Sequence, residues 1–171
     1  MALPLICPIT IEQSATSTSD LAKQAAAKGA PSGSGFLAIE QTAGRGRRGR
    51  HWSSLEGGMY LSVLLRPEVE KKFWFVLSFA ASLAVLDTVR EQLEKHFDVN
   101  DMPQIGVKWP NDVMMAGGKI AGILLESEGQ ALIVGSGINI AAVREKSFRA
   151  SNYQASPNAR IAPMALADVW P

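Results

Sequence analysis

The sequence predicts an α+β domain, with a mixed, largely antiparallel sheet and helices packed mainly on one face. Three observations carry this. Short apolar runs of strand character outnumber helical ones. Several of these runs are joined by turns of hairpin length, which antiparallel strands accept and parallel strands do not. One segment alone, residues 73–97, holds a helical period over a long stretch. Runs of strands with few helices between them favour α+β over an alternating α/β architecture. With 171 residues, 47% hydrophobic and 19% charged, the chain suits one domain with a real core spanning residues 1–171.

Residues 3–11 are short, β-branched and marked by prolines, which suits an edge strand. A hydroxyl cluster at 14–20 follows, where Ser17, Thr18 or Ser19 can cap a helix over 21–28 that Gly29 ends. Residues 31–35 form a turn, and 36–40 a strand that feeds an arginine-rich loop. After a second turn at 53–58, an apolar strand over 59–65 stops at Arg66 and Pro67. Val76, Phe79, Leu83, Leu86, Leu93 and Phe97 recur at helical spacing within 73–97, whose first half is apolar all round and should lie deep against the sheet. The strand over 105–110 is cut by Pro110, residues 111–115 follow, and 116–118 turn. Residues 119–126 and 130–135 read as a hairpin around 127–129. Gly135 and Gly137 continue its second strand where a ligand can press on the backbone. The pattern decays into an irregular tail over 141–171.

Net charge is +1, yet four arginines sit between positions 45 and 50, so the rest of the chain is net acidic. A basic character this local argues against a surface built for non-specific nucleic-acid binding. A lone cysteine, Cys7, cannot form an internal disulfide, which fits a reducing compartment. The N-terminus lacks the basic start of a signal peptide, and the longest apolar stretch, 73–86, is well under the roughly 20 residues of a membrane span. A cytoplasmic protein, without a membrane partner, is expected.

The chemistry concentrates in two places. In the first, Gly44, Arg45, Gly46, Arg47, Arg48, Gly49, Arg50, His51 and Trp52 follow one another. Arginine presents a planar fork of donors to carboxylate and phosphate oxygens, and glycine lets backbone approach a ligand. A solvated loop, an RGG-like nucleic-acid contact and an anion or nucleotide clamp are all open. No Walker A loop is present, and no GxGxxG arrangement opens a helix. The second place is Lys108, Trp109, Pro110, Asn111 and Asp112, which set a lysine, an amide and a carboxylate at one sheet edge. Lys108 among apolar neighbours calls for an anionic partner. Either a Lys108–Asp112 salt bridge or Mg²⁺ held by Asp112 with phosphates is compatible with that run.

The stretch from Gly44 to Arg50, the run from Lys108 to Asp112, the segment from Lys119 to Glu126 and the triplet Gly137–Ile138–Asn139 resemble, in order, the motifs of the biotin–protein ligases. The resemblance covers about residues 16–140. It implies ATP-dependent activation of biotin as biotinyl-5'-adenylate and transfer to a carrier-protein lysine, with ATP and Mg²⁺ as co-substrate and ion, and with no tightly bound prosthetic group.

Residue by residue, the resemblance implies that Ser17, Thr18, Ser19 and Gln41 face the ureido ring of biotin. Gly44, Arg45, Gly46 and Arg47 would wrap its carboxylate and the phosphate. Arg48 and Arg50 would lie near the departing pyrophosphate, and Trp52 would pack on adenine. Lys108 and Arg47 are the implied catalytic cations. Asn111, Lys119 and Asn139 are implied nucleotide-side groups, with Asp112 toward Mg²⁺, and Gly122 and Gly135 would leave room for the biotin ring. The implied protein partner is a carboxylase's biotin carboxyl carrier domain, and monomer and homodimer both stay open.

Ser19 departs from the family's usual asparagine. No helix-turn-helix precedes the region, so repressor activity is not expected, and no C-terminal β-barrel domain follows it before Pro171. A lipoate or octanoate ligase of the same broad fold, and a non-catalytic biotin- or adenylate-binding remnant, are the alternative readings.

Overall fold

Alternating apolar side chains and glycine turns build one seven-stranded sheet. The structure, a computed structural model, describes residues 8–54, 57–95, 97–98 and 100–140. In chain order the elements are β1 (Ile9–Ala15), α1 (Thr18–Ala27), β2 (Gly35–Gln41), β3 (Gly58–Leu65), α2 (Val76–Leu93), β4 (Ile105–Lys108), β5 (Asp112–Met115), β6 (Gly118–Glu128) and β7 (Ala131–Asn139). Single turns of 3-10 helix occur at Arg47–Gly49 and Lys71–Phe73. The strands lie in the order β1-β2-β3-β7-β6-β5-β4. β1 and β2 are parallel, and every other neighbouring pair is antiparallel. The mixed, mostly antiparallel sheet expected from the sequence is the one observed. Residues 3–7 of the expected edge strand and the tail at 141–171 lie outside the described residues; the remainder of that strand, β1, is an edge.

Local chemistry explains the boundaries. Ser17 caps α1, its hydroxyl accepting the Ser19 amide at 3.2 Å, and Gly29, at φ +83°, ends the turn after it. The β6–β7 hairpin pairs Glu128 with Ala131 across a two-residue loop, where Gly129 takes φ +57°. β4 stops before a cis Trp109–Pro110 bond.

Strand parity decides where the helices sit. Ala22 and Ala26 of α1 pack with Phe36, Leu64, Ala131 and Ile133. Leu86, Val89 and Leu93 of α2 pack with Val113, Ala121 and Ile138. Ile133 and Ile138 are an odd number of residues apart on β7, whose pairing with β3 is regular throughout. Side chains alternate faces along a strand, so the two helices cover opposite faces. The expectation of helices mainly on one face is corrected accordingly, and α1 alone shares its face with the cleft described below.

The long helix also differs from its sequence reading. It runs over Val76–Leu93 rather than 73–97. Its buried stripe is Ser78, Ser82, Leu86, Val89 and Leu93, while Phe75, Val76, Phe79 and Leu83 are exposed. A segment apolar on every side carries no information about which side faces inward. Small serines decided it, because they let the helix come close to the chain at Pro110: the Ser78 hydroxyl donates to the Pro110 carbonyl at 3.4 Å, and that of Ser82 to the Ser78 carbonyl at 2.9 Å. None of the described helices is long and apolar enough to cross a membrane.

This packing predicts an asymmetry along α2. Leu93→Ala should lower unfolding free energy by about 3 kcal/mol in urea denaturation, as expected for a fully buried leucine, whereas Phe75→Ser should change it by less than about 0.5 kcal/mol.

Candidate functional site

A cleft of about 450 Å³ including its mouth opens on the α1 face of the sheet, lined in part by Ser17, Thr18 and Ser19 of the α1 start and by the arginine loop. At its α1 end, polar groups form a closed network. Gln41 Oε1 accepts from the Thr18 amide at 2.8 Å and from its hydroxyl at 3.2 Å. The Ser62 hydroxyl lies 2.8 Å from that of Thr18 and 3.2 Å from that of Ser19. Gln41 Nε2 donates to the Ser54 hydroxyl at 2.9 Å. Buried hydroxyls are expensive unless bonded, so this cluster fixes its members' positions and leaves hydroxyls that can both donate and accept.

The arginine loop crosses the cleft as a narrow hairpin. Arg45 and His51 form an isolated antiparallel bridge, the Gly46 amide donates to the Arg50 carbonyl at 2.7 Å, and the Trp52 amide donates to the Gly44 carbonyl at 2.9 Å. Arg48 and Gly49 take φ +59° and +71° at its tip. Gly44 sits at the base, where an added Cβ would lie 2.6 Å from the Trp52 carbonyl oxygen. Each side of the loop is fastened by an arginine. Arg45 forks onto Asp20 of α1, Nη1 to Oδ2 at 3.0 Å and Nη2 to Oδ1 at 2.5 Å. Arg47 donates to Asn111 Oδ1 at 2.7 Å.

Glycines make the floor, and Trp52 lies on it. A Cβ on Gly137 would come within 2.6 Å of the Trp52 ring, and one on Gly122 within 3.0 Å of that ring and 2.9 Å of Lys119 Nζ. A Cβ on Gly135 would reach the Ser19 hydroxyl at 3.0 Å. Room that the sequence reading gave to a bound ring at Gly122 and Gly135 thus holds Trp52, Lys119 and Ser19. Trp52 Nε1 is buried with no hydrogen-bond partner among the described residues.

The second motif behaves differently from its sequence reading. Asp112 pairs with Lys119, Nζ to Oδ1 at 2.7 Å, and not with Lys108. Lys119 also stands 5.2 Å from the Trp52 ring centroid and lines the cleft. Lys108 is exposed, does not line the cleft and makes no ion pair among the described residues. Asn111 ties this corner together: its amide nitrogen donates to Asp112 Oδ1 at 3.1 Å and to the Ile123 carbonyl at 3.0 Å, while its oxygen accepts Arg47. Asn139 is buried beneath and donates to the Lys119 carbonyl at 3.5 Å. Arg48 and Arg50 are exposed outside the cleft.

Of the residues predicted from sequence, the structure therefore gathers Ser17, Thr18, Ser19, Gln41, Arg45, Gly46, Arg47, Trp52, Asn111, Lys119, Gly122 and Gly135 around one cleft. Gly44, Asp112 and Asn139 support it, and Lys108, Arg48 and Arg50 stay outside. Sequence reasoning missed Ser62, Asp20 and Glu126 as parts of the assembly, and marked Gly137 for a close backbone approach without naming it a site residue. Gly137 had a signal, since Gly135 and Gly137 alternate on one strand face. Ser62 inside an apolar strand was another.

Electrostatics on the α1 side are nearly self-compensating. The Arg45 fork holds the Asp20 carboxyl below the usual carboxylate range, opposed by partial burial and helped by the Thr16 hydroxyl, and Asp20 in turn raises Arg45. Lys23 Nζ meets Glu126 Oε1 at 2.5 Å, and Arg45 Nη2 lies 3.6 Å from Glu126 Oε2. A carboxyl whose folded pKa is depressed contributes stability that is full above its unfolded value and is lost as pH falls through the folded one. Urea titrations should therefore show Asp20→Asn less stable than the parent by about 1 kcal/mol at neutral pH, a modest value because the pair is partly exposed. The gap should close as pH falls below the ordinary aspartate range. Gly137→Ala should push Trp52 off its seat, seen as a shift of one indole N–H resonance that Trp52→Phe removes.

A family model described as the biotin/lipoate A/B protein ligase family matches residues 11–141. The biotin–[acetyl-CoA-carboxylase] ligase of Paracoccus denitrificans is 44% identical over 110 residues, covering 61% of this chain and 43% of that protein. The enzyme of the same name from Mycobacterium tuberculosis is 38% identical over 138 residues, 80% of this chain and 50% of that protein. This chain spans half or less of the length of these curated relatives. Among solved structures, the biotin protein ligase of Leishmania major in complex with biotinyl-5-AMP superposes with a TM-score of 0.70 at 32% identity, covering 95% of this chain and 64% of that one. The Aquifex aeolicus biotin protein ligase in complex with biotin and ATP gives 0.72 at 28% identity, covering 95% and 61%. The family match runs from β1 to the end of β7, through every strand, helix and loop that builds the cleft, and the chain belongs to the biotin/lipoate A/B protein ligase family.

Proposed function

We propose that this chain activates biotin with ATP as biotinyl-5'-adenylate and passes the biotinyl group to a lysine of a carrier domain. The observation that carries this reading is the polarity of the cleft. One end is a network of hydroxyls and an amide suited to a neutral, hydrogen-bonding ring (Thr18, Ser19, Gln41, Ser62). The other end presents the cations Arg47 and Lys119, with the Trp52 ring and a glycine floor between. A carboxylic acid with an apolar body and a cyclic urea fits such a gradient.

In the first step a carboxylate oxygen attacks the α-phosphorus of ATP, and pyrophosphate leaves. In the second the carrier lysine's amine attacks the acyl carbon, AMP leaves with the bonding pair, and the amine gives up a proton. Two anions must meet in the first step, so cations aimed at both contribute most. Lys119 lines the cleft, and Lys108, the cation the family resemblance implies, stands opposite Asp112 in the β4–β5 register, so both lysines serve this reading as candidate cations. Asp112, through its 2.7 Å contact, orients the Lys119 ammonium. Arg47 has an amide, not a carboxylate, as its fastening, so its charge stays available to the ligand. Trp52 Nε1 is a buried donor set against Gly137, with no hydrogen-bond partner among the described residues.

Mg²⁺ on Asp112 fits this arrangement poorly. Asp112 Oδ1 already accepts from Lys119 and Asn111, and the described residues hold no group of three or more His, Cys, Asp or Glu able to grip an ion. A metal that travels with ATP's phosphates would be held by them. The acceptor is a carboxylase carrier domain on this reading, and the cytoplasm is the compartment where ATP and such a carrier meet.

Biotin-dependent exchange of labelled pyrophosphate into ATP tests the proposal. Exchange is expected from the parent chain, with Lys108→Ala and Lys119→Ala each reducing it by about 100-fold or more. Absence of exchange with biotin still binding by calorimetry would favour a binding remnant. No biotin binding would overturn the reading.

A further inference from the structure

We propose that Ser62 is a positioning residue: it sets the direction of a hydroxyl chain so that Thr18 and Ser19 meet a ligand ring as hydrogen-bond acceptors only. The choice of biotin as the ring-bearing ligand rests on the adenylation reading, whereas the direction of the chain is a property of the protein alone.

Ser62 is out of place by composition. It stands on β3 between the buried Tyr60 and Leu64 and is itself 0% exposed. An aliphatic side chain would suit that position, because a buried hydroxyl costs free energy unless it is bonded. Its register partner on β7 is Gly135, which lines the cleft, while Ser62 does not. Ser62 can therefore act on a ligand only through its neighbours, the Thr18 hydroxyl at 2.8 Å and the Ser19 hydroxyl at 3.2 Å. Both of those residues line the cleft.

Taken singly, each hydroxyl can donate or accept, but each has one proton, and their connections leave one arrangement. The Thr18 amide fixes the far end. A backbone N–H only donates, so the Gln41 atom 2.8 Å from it is the side-chain oxygen Oε1. The Thr18 hydroxyl lies 3.2 Å from the same oxygen, and two acceptors that close repel unless a proton lies between them. Thr18 therefore donates to Gln41. With its proton spent it accepts from Ser62, and Ser62 in turn accepts from Ser19. All three protons run one way, from Ser19 through Ser62 and Thr18 to Gln41. Lone pairs are what Thr18 and Ser19 have left for the cleft.

Such a wall selects a ring that presents N–H groups and rejects one of the same shape that presents oxygens there. A cyclic urea has two N–H groups, and a cyclic carbonate has none. Without the Ser62 hydroxyl, the Ser19 proton has no acceptor in the chain and can turn to the ligand, so selectivity should fall.

Calorimetry with biotin and with its cyclic carbonate isostere, in which oxygens replace both ring N–H groups, reads that selectivity. The parent chain should prefer biotin by about 1,000-fold or more, the scale of a polar site left without its partner. Ser62→Ala should cut this preference by about ten-fold. A serine that merely anchors α1 would weaken both ligands alike, so an unchanged preference would overturn the proposal. NMR of hydroxyl protons in the ligand-free protein tests the direction independently. The Ser19 proton should exchange about ten-fold more slowly in the parent than in Ser62→Ala, with the β7 amides unchanged. In a chain running the other way Ser19 would be unheld in both proteins, so equal rates would overturn the proposal as well. A parent chain that binds neither ligand would remove the biotin reading and leave Ser62 to stand or fall on this proton.

Discussion

A sheet interior has no natural room for a ligand, and the structure depends on how this one makes room. Side chains on adjacent strands normally close a face completely. Here Gly122 on β6 is paired with Gly137 on β7, and Gly135 lies two residues away on the same face. The period of two along a strand turns these glycines into one depression instead of scattered gaps. Trp52 seats its ring in that depression, and the polypeptide before it must then return across the cleft mouth. The arginine loop crosses the cleft with its last residue packed into the floor.

Around this seat the charges are sorted into two groups with different surroundings. On the α1 side, Asp20, Arg45, Lys23 and Glu126 neutralise one another within hydrogen-bond or near-contact distances. On the β5–β6 side, Asp112 holds Lys119, and Asn111 joins that pair to Arg47 through neutral amide contacts. The first group is electrostatically closed. The second keeps at the cleft a guanidinium, that of Arg47, with no ion pair among the described residues. The opposite placement of the two helices supports this division. α1 shares the cleft's face and delivers Ser17 to Asp20 directly to it, whereas α2 stiffens the sheet from behind through Val113, Ala121 and Ile138.

Much of this was legible in the amino-acid order. Hairpin turns such as the one at Gly129, the apolar strand β3 and the helix end at Gly29 are set by interactions within a few residues, and the sequence identifies each; it narrows the cap to Ser17, Thr18 or Ser19. The arginine–glycine run reads as a loop for the same local reason, and the order of four motifs was enough to indicate the family. Local chemistry also determined which residue types the site would contain: hydroxyls, an amide, arginines, a lysine and glycines.

Tertiary structure decided which of them meet. Lys108 and Lys119 are equally lysines on strands, and only the pairing of β5 with β6 brings Lys119 to Asp112 and Trp52 while Lys108 ends exposed on the edge strand. Asp20 and Arg45 stand twenty-five residues apart, and their fork exists because α1 lies over the same sheet face that the loop crosses. The burial side of α2 was equally invisible, since a helix apolar on all sides takes its orientation from the surface it meets. Sequence set the local elements and the chemical inventory through short-range preferences. The partnerships that build the cleft come from strand register and helix side, which arise only when distant segments pack together.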